Sequence, residues 1–110
     1  MIQTNVSPDD GTRTTLTRTL SKTVAELLGK PERYVMVAIE TGTPMVFAGD
    51  DSPLAYMELK SIGLPESSTS AFSESLCMLV EKELGIPSDR IYIEFTGAER
   101  HMWGWNKDTF

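Results

Sequence analysis

The stretches "LGKPERYVMV" at Leu28–Val37 and "LGIPSDRIYI" at Leu84–Ile93 resemble each other closely, and the prediction of the fold starts from them. Both begin with Leu-Gly-x-Pro, and the apolar residues that follow recur in register, so that Val35 matches Ile91. Glycine followed two residues later by proline is typical of a helix end, and alternating β-branched residues are typical of a strand. Each stretch therefore predicts the end of a helix and the strand that follows it.

The segment before each stretch has the spacing of an amphipathic helix. Apolar residues recur every three to four positions from Leu16 to Leu28, and again from Phe72 to Leu84. This period places them on one face, which predicts two helices that pack against a common core. The candidate N-caps are Asp9, Asp10 and Thr12 for the first helix, and Ser67, Ser68 and Thr69 for the second.

A strand-like run precedes each predicted helix, "MIQTNV" at residues 1–6 and "AYMELKSI" at residues 55–62. The chain is thus interpreted as two βαβ halves, about 1–48 and 54–110, separated by a hairpin-like insert "TGTPMVFAGDDSP". Right-handed crossovers then predict an α/β domain (α+β by some schemes) with a four-stranded sheet and both helices on one face. The alternative is chance similarity between two helix ends.

Composition limits the function classes. The 110 residues suit a single domain, 1–110, and their net charge of −6 argues against binding to nucleic acid or to anionic membranes. The sequence has no basic segment followed by an apolar run, so no secretory signal is visible and a cytoplasmic protein is expected. Whether the protein is exported without a leader is not readable from sequence. The single Cys77 excludes an internal disulfide, and no metal or cofactor motif is found.

The predicted strands also suggest an oligomer. Val35, Val37 and Ile39 alternate with the apolar Met36 and Ala38, and strands that are apolar on both sides are normally covered on both faces. Two helices cover one face only, so other copies of the chain are the simplest cover for the second. The alternative is a large exposed apolar patch on a monomer.

Five short motifs are distributed along the chain: "TNV" (Thr4–Val6), "LGKP" (Leu28–Pro31), "SIG" (Ser61–Gly63), "LGIPSDRIYI" (Leu84–Ile93) and "GWN" with "TF" (Gly104–Asn106, Thr109–Phe110). In this order and spacing they resemble the tautomerase superfamily, in its macrophage migration inhibitory factor branch. The resemblance implies a homotrimer of tandem βαβ subunits around a central barrel, with an active site at each subunit boundary. The internal repeat is then the two halves of a pseudo-symmetric subunit.

The same resemblance implies keto–enol tautomerisation of phenylpyruvate-type 2-oxo acids by an N-terminal proline of lowered pKa. Here the sequence departs from the family, because "MIQTNV" has no proline, and Met1 matches about the fourth residue of the family strand. Either the native chain starts further upstream or the activity has been lost. The Met1 amine is a doubtful substitute, so catalysis by the chain as written is not expected. The alternative function is a non-catalytic or cytokine-like trimeric binding protein.

The resemblance also implies which residues form the substrate site, and they are assigned by matching each position to the family motifs. Lys30 matches the lysine that meets the substrate carboxylate, and Ile62 matches the residue whose backbone N–H contacts it. Tyr34 lines the mouth of the site, and Tyr92 reaches in from a neighbouring subunit. Without the resemblance, Lys30 is a lysine at a helix end and the others are ordinary strand residues.

Four further positions belong to the implied site. Glu94 stands where better-known members have asparagine, so it either alters substrate choice or faces solvent. Trp103, Trp105 and Phe110 either pack the ring of an aromatic substrate or anchor the tail on a neighbouring copy. The implied partners are therefore a small aromatic 2-oxo acid and further copies of the chain.

Overall fold

The computed structural model describes all of residues 1–110 and contains one mixed four-stranded sheet with two long helices. The elements are β1 (Ile2–Thr4), α1 (Asp10–Leu28), β2 (Ile39–Glu40), β3 (Ala55–Ile62), α2 (Thr69–Leu84), β4 (Ile91–Ala98), β5 (Gly104–Trp105) and β6 (Asp108–Thr109). The sheet order is β2-β1-β3-β4, in which β1 is parallel to β2, β3 is parallel to β4, and β1 is antiparallel to β3. Two tandem βαβ units are thus confirmed.

Helix ends lie where the sequence predicted them. The Asp9 carboxylate accepts a hydrogen bond from the Thr12 N–H and caps α1. Both helices end at a glycine in the left-handed region, Gly29 with φ 64° and Gly85 with φ 69°, a conformation that a side chain disfavours. At α2, Ser68 occupies the N-cap position, but its side chain makes no capping bond. A side-chain cap at this helix is therefore a wrong prediction.

The core lies between the helices and one face of the sheet. Leu16 and Leu20 of α1 join Phe72, Leu76 and Val80 of α2, and all are at most 4% exposed. From the sheet, the buried side chains on this face include Ile2, Ala55, Met57, Leu59 and Ile91. Burying each large aliphatic side chain contributes about 1.5–3 kcal/mol, so this shared core holds the two βαβ units together.

The helix-free face of the sheet is polar, and the prediction that it is apolar is wrong. The strand register places Tyr56 beside Tyr92, Glu58 beside Glu94, and Lys60 beside Thr96 on this face. Side chains alternate between faces, so the apolar β4 residues Ile91, Ile93 and Phe95 all face the helices. An uncovered apolar sheet face therefore gives no reason for oligomerisation.

β2 is shorter than the sequence predicted. Residues 35–38 lie between the short 3₁₀ turn at Glu32–Tyr34 and β2, and they are not part of the strand. Within this segment the Ala38 carbonyl oxygen accepts a hydrogen bond from the Ile2 N–H at 3.0 Å. Ile2, the first residue of β1, pairs with Ile39 on one side and with Met57 on the other.

The insert at residues 41–53 forms no regular hairpin, since its only ladder contact is the bridge between Phe47 and Asp50. Arg90 holds this segment by donating to the carbonyl oxygens of Phe47, Asp50, Ser52 and Pro53 at 3.0–3.3 Å.

At the end of the chain, β5 and β6 form a small hairpin that the sequence did not predict. Neither α1 nor α2 combines the length and the apolar composition of a transmembrane helix.

Candidate functional site

A cavity of about 740 Å³ opens between β3, residues 35–37 and the C-terminal segment. This volume lies within the range of ~300–1,000 Å³ that is usual for small-molecule sites. Its floor is apolar and includes Leu20, Val24 and Leu76 from the two helices. Its upper wall carries both polar and aromatic side chains, which makes it the candidate site.

Lys30 is fixed at the wall of this cavity. It follows the left-handed Gly29 that ends α1, and its Nζ atom donates to the Oγ atom of Ser61 at 2.7 Å and to the carbonyl oxygen of Ile62 at 2.6 Å. An ammonium group has three donors, so one remains for an anionic ligand. The sequence predicted Lys30 and Ile62 as site residues. It missed Ser61, although "SIG" contains it.

Three aromatic rings pack together at the mouth of the cavity. Tyr34 meets Phe110 edge-on with ring centroids 5.7 Å apart, and Phe110 stacks on Trp105 at 5.4 Å. The Phe110 N–H donates to the carbonyl oxygen of Trp103, which also lines the cavity. The β5–β6 hairpin thereby brings the C-terminal aromatic residues to the site within a single chain.

Cationic side chains surround the cavity, although the chain as a whole carries a net charge of −6. Besides Lys30, the lining includes Arg33, Lys60 and Arg100, against the single acidic side chain of Glu58. A cleft lined by one sign of charge concentrates ligands of the opposite sign, so this cavity favours anions. Sequence reasoning missed Arg33, Lys60 and Arg100 because overall composition conceals local charge.

The amino group of Met1 lies in the same cavity. It donates to the carbonyl oxygen of Glu58 at 3.0 Å, and the Glu58 N–H donates to the Met1 carbonyl oxygen at 2.9 Å. Desolvation lowers the pKa of the Met1 ammonium from 8.0, partly opposed by the charge of Glu58. Glu58 and Ser61 are three residues apart on β3, which at ~3.3 Å per residue puts the amine about 10 Å from the Lys30 contact.

Two of the sequence-predicted residues lie outside the cavity of their own chain. Tyr92 is 66% exposed on the helix-free face and packs on Phe47 with ring centroids 4.7 Å apart. The Glu94 carboxylate accepts a hydrogen bond from the Tyr56 hydroxyl at 2.7 Å, which is the main reason that the pKa of Glu94 is lowered. The same bond raises the pKa of Tyr56.

The remaining chemistry-bearing side chains form no second site. No group of three or more His, Cys, Asp or Glu side chains is placed to hold a metal ion. His101 pairs with the exposed carboxylate of Glu99 at 3.4 Å, and Cys77 packs partly buried against the core. The anion-favouring cavity therefore stands as the candidate site.

The chain combines tandem βαβ halves with a lysine fixed just after the first helix and a C-terminal aromatic cluster. Its fold is that of the tautomerase superfamily. The family model "Macrophage migration inhibitory factor (MIF)" matches residues 1–110. The chain belongs to this family, within the tautomerase superfamily.

Individual relatives match this chain over nearly its full length. The macrophage migration inhibitory factor homolog of Brugia malayi is 38% identical over 110 residues, covering 99% of this chain and 95% of that protein. The crystal structure of the Prochlorococcus marinus homologue has 47% identity and a TM-score of 0.92, covering 99% of this chain and 96% of the other. The Trichinella spiralis structure has 33% identity and a TM-score of 0.89, with coverages of 99% and 96%.

Proposed function

We propose that the cavity binds aromatic 2-oxo acids such as phenylpyruvate and interconverts their keto and enol forms. The observation that carries this proposal is the juxtaposition of Lys30, held by Ser61 and Ile62, with the aromatic cluster of Tyr34, Trp105 and Phe110. The cationic lining suits the carboxylate, and the aromatic cluster suits the ring. Membership of the family supports the same substrate class.

In the proposed reaction a neutral amine removes a proton from the carbon between the carbonyl group and the ring, and a proton is then delivered to the carbonyl oxygen. Among the groups that line the cavity, the Met1 amine is the one whose pKa is lowered, mainly by desolvation. A lowered pKa favours the neutral form of an amine, which is the form that accepts a proton.

The test is a phenylpyruvate tautomerase assay on three matched proteins: the 110-residue chain, a variant extended by Pro-Ala-Ala before Met1, and one extended by Ala-Ala-Ala. The proline extension is expected to raise kcat strongly over the parent, because it places a secondary amine beside Lys30. The Ala-Ala-Ala variant separates the effect of the longer strand from that of the proline amine. Failure of phenylpyruvate to bind any of the three would overturn the proposal.

The second function that the family resemblance leaves open is binding without catalysis, which needs the cavity and its cationic lining but no base. A trimeric, cytokine-like binding protein would keep the fold and the pocket but show no turnover. Binding of phenylpyruvate with no tautomerisation by either the parent chain or the proline-extended variant would select this alternative.

For the assembled state we propose a homotrimer, as the family resemblance implies. Within one chain, exposed apolar residues remain at Met36, Val46 and Tyr92, which are 92%, 70% and 66% exposed. In such a trimer, as the resemblance implies, Tyr92 would reach the cavity of a neighbouring copy. Sedimentation equilibrium should give three times the chain mass of 12.2 kDa. A stable monomer at micromolar concentration would exclude the trimer.

A further inference from the structure

The side-chain charges that line the cavity do not cancel. Lys60 forms an ion pair with Glu58, the one acidic side chain of the lining, and 3.3 Å separates its Nζ atom from a carboxylate oxygen. The other three cations, Lys30, Arg33 and Arg100, form no ion pair within the chain. A ligand with a single carboxylate balances one of these three charges, so two cationic side chains stay unbalanced when it binds.

Lys30 and Arg33 lie at different depths in the cavity. The hydrogen bonds from the Lys30 ammonium to Ser61 and Ile62 are partly buried. Arg33 is exposed, and its neighbour Tyr34 is 48% exposed. Arg33 is therefore nearer to the mouth, and a ligand that extends outward from Lys30 has its far end on the side of Arg33.

The Arg33 guanidinium lies over the ring of Tyr34, with 4.7 Å between its central carbon and the ring centroid. Its one hydrogen bond runs to the Tyr34 hydroxyl oxygen at 3.5 Å. A guanidinium carries several N–H donors along its planar edge, so most of them remain free for a ligand. Stacking on a ring leaves this edge open, and the edge matches a carboxylate in two parallel hydrogen bonds.

Arg33 also borders the aromatic cluster that is proposed to hold the ring of the substrate. The Tyr34 ring under its guanidinium meets Phe110 at 5.7 Å and Trp105 at 6.5 Å between ring centroids, both edge-on. In an aromatic 2-oxo acid, the ring carbon opposite the side chain, the para position, is the one farthest from the carboxylate. With that carboxylate at Lys30 and the ring on the cluster, the para position lies toward Arg33.

We propose that Arg33 forms a second anion-binding subsite, and that the favoured ligands are aromatic 2-oxo acids with a carboxylate at the para position of the ring. This inference rests on the proposed binding of aromatic 2-oxo acids, but it requires no turnover. It adds a charge requirement at the outer end of the ligand. The two ligand carboxylates would balance Lys30 and Arg33, whereas phenylpyruvate balances only one of them.

The experiment compares the affinities of three ligands for the 110-residue protein by isothermal titration calorimetry at low ionic strength. The ligands are phenylpyruvate, 4-carboxyphenylpyruvate and 4-carbamoylphenylpyruvate, whose amide has the shape of the carboxylate without its charge. The carboxylate is expected to bind roughly two- to fivefold more tightly than the amide, as for an exposed ion pair. In about 1 M salt this preference should shrink, because the screening length falls to ~3 Å.

Substitutions then assign the preference to one side chain. Arg33→Gln is expected to bring the ratio of the carboxylate and amide affinities to about one, because it removes the charge at the far end of the ligand. Arg33→Lys keeps the charge but not the two-pronged edge, so it should retain part of the preference. The matched control is Arg18→Gln, which makes the same charge change at an exposed position of α1 outside the cavity and should leave the ratio unchanged.

The possible failures are distinguishable. If neither phenylpyruvate nor 4-carboxyphenylpyruvate binds, both the proposed function and this subsite are rejected. If phenylpyruvate binds but the carboxylate ligand is no tighter than the amide, the subsite is rejected and the proposed function stands. If Arg100→Gln abolishes the preference and Arg33→Gln does not, the assignment to Arg33 is wrong.

Discussion

The Nζ atom of Lys30 lies 2.7 Å from the Oγ atom of Ser61, and this hydrogen bond joins the end of α1 to the central strand β3. Ser61 is 4% exposed, and the chain leaves no buried side-chain polar atom without a partner. The lysine therefore satisfies a buried hydroxyl while holding its charge at the wall of an apolar cavity. This arrangement combines a structural role with a binding role.

Replacing Lys30 tests that double role. Lys30→Ala is expected to weaken phenylpyruvate binding about 10- to 150-fold, the equivalent of the ~1.5–3 kcal/mol of a charge-assisted hydrogen bond. Isothermal titration calorimetry measures the affinity directly. The control is Lys22→Ala, which makes the same charge change at an exposed position of α1 outside the cavity. Equal effects of the two substitutions would show that only net charge matters.

The fully buried Thr4 joins β1 to the segment before β3. Its hydroxyl donates to the Leu54 carbonyl oxygen at 2.7 Å and accepts from the Val6 N–H at 3.1 Å. Thr4→Val keeps the shape but leaves both backbone groups unpaired, which should lower the free energy of unfolding by about 1–3 kcal/mol. Urea denaturation measures this. Thr4→Ser keeps the hydroxyl, so a loss as large as that of Thr4→Val would show that packing matters more than the hydrogen bonds.

Substitutions at one buried and one exposed position of α2 distinguish the contribution of core packing to the free energy of unfolding from that of helix propensity. Leu76 is 1% exposed within the shared core, and Leu76→Ala should lower the free energy of unfolding by about 2–5 kcal/mol through lost burial and a cavity. Met78, two residues along the same helix, is 62% exposed, and Met78→Ala should change it by less than about 0.5 kcal/mol. Thermal unfolding followed by circular dichroism compares them. Similar losses would contradict the assigned core.

The hydrogen bond between Tyr56 and Glu94 predicts a pH dependence. Because this bond lowers the pKa of Glu94, the folded protein binds fewer protons than the unfolded chain at acid pH. The resulting stabilisation is present above the ordinary pKa of 4.5 and is lost as the pH falls through the lowered pKa. Tyr56→Phe should return the Glu94 pKa toward 4.5, as an NMR titration of its carboxyl carbon would report. An unchanged titration would assign the shift to Thr96 or Lys60 instead.

Local signals in the sequence were enough for the helices, the repeat and the resemblance. Apolar residues spaced as in one helix face, from Leu16 to Leu28, and a glycine that adopts the left-handed conformation are properties of short segments. The prediction of an apolar helix-free face is wrong because it rests on Met36 and Ala38, which make one strand look apolar on both sides. The actual face is set mainly by Tyr56, Glu58 and their β4 neighbours.

Apolar spacing and glycine-proline helix ends are encoded within short segments, so the amino-acid sequence was sufficient to predict the two βαβ units. The surroundings of Lys30 became apparent only in three dimensions. The proximity of Ser61 and the grouping of Arg33 and Arg100 in an acidic chain depend on contacts between residues far apart along the chain. Such contacts are fixed by strand register and by packing of the shared core, and neither leaves a local pattern that can be recognised in one sequence.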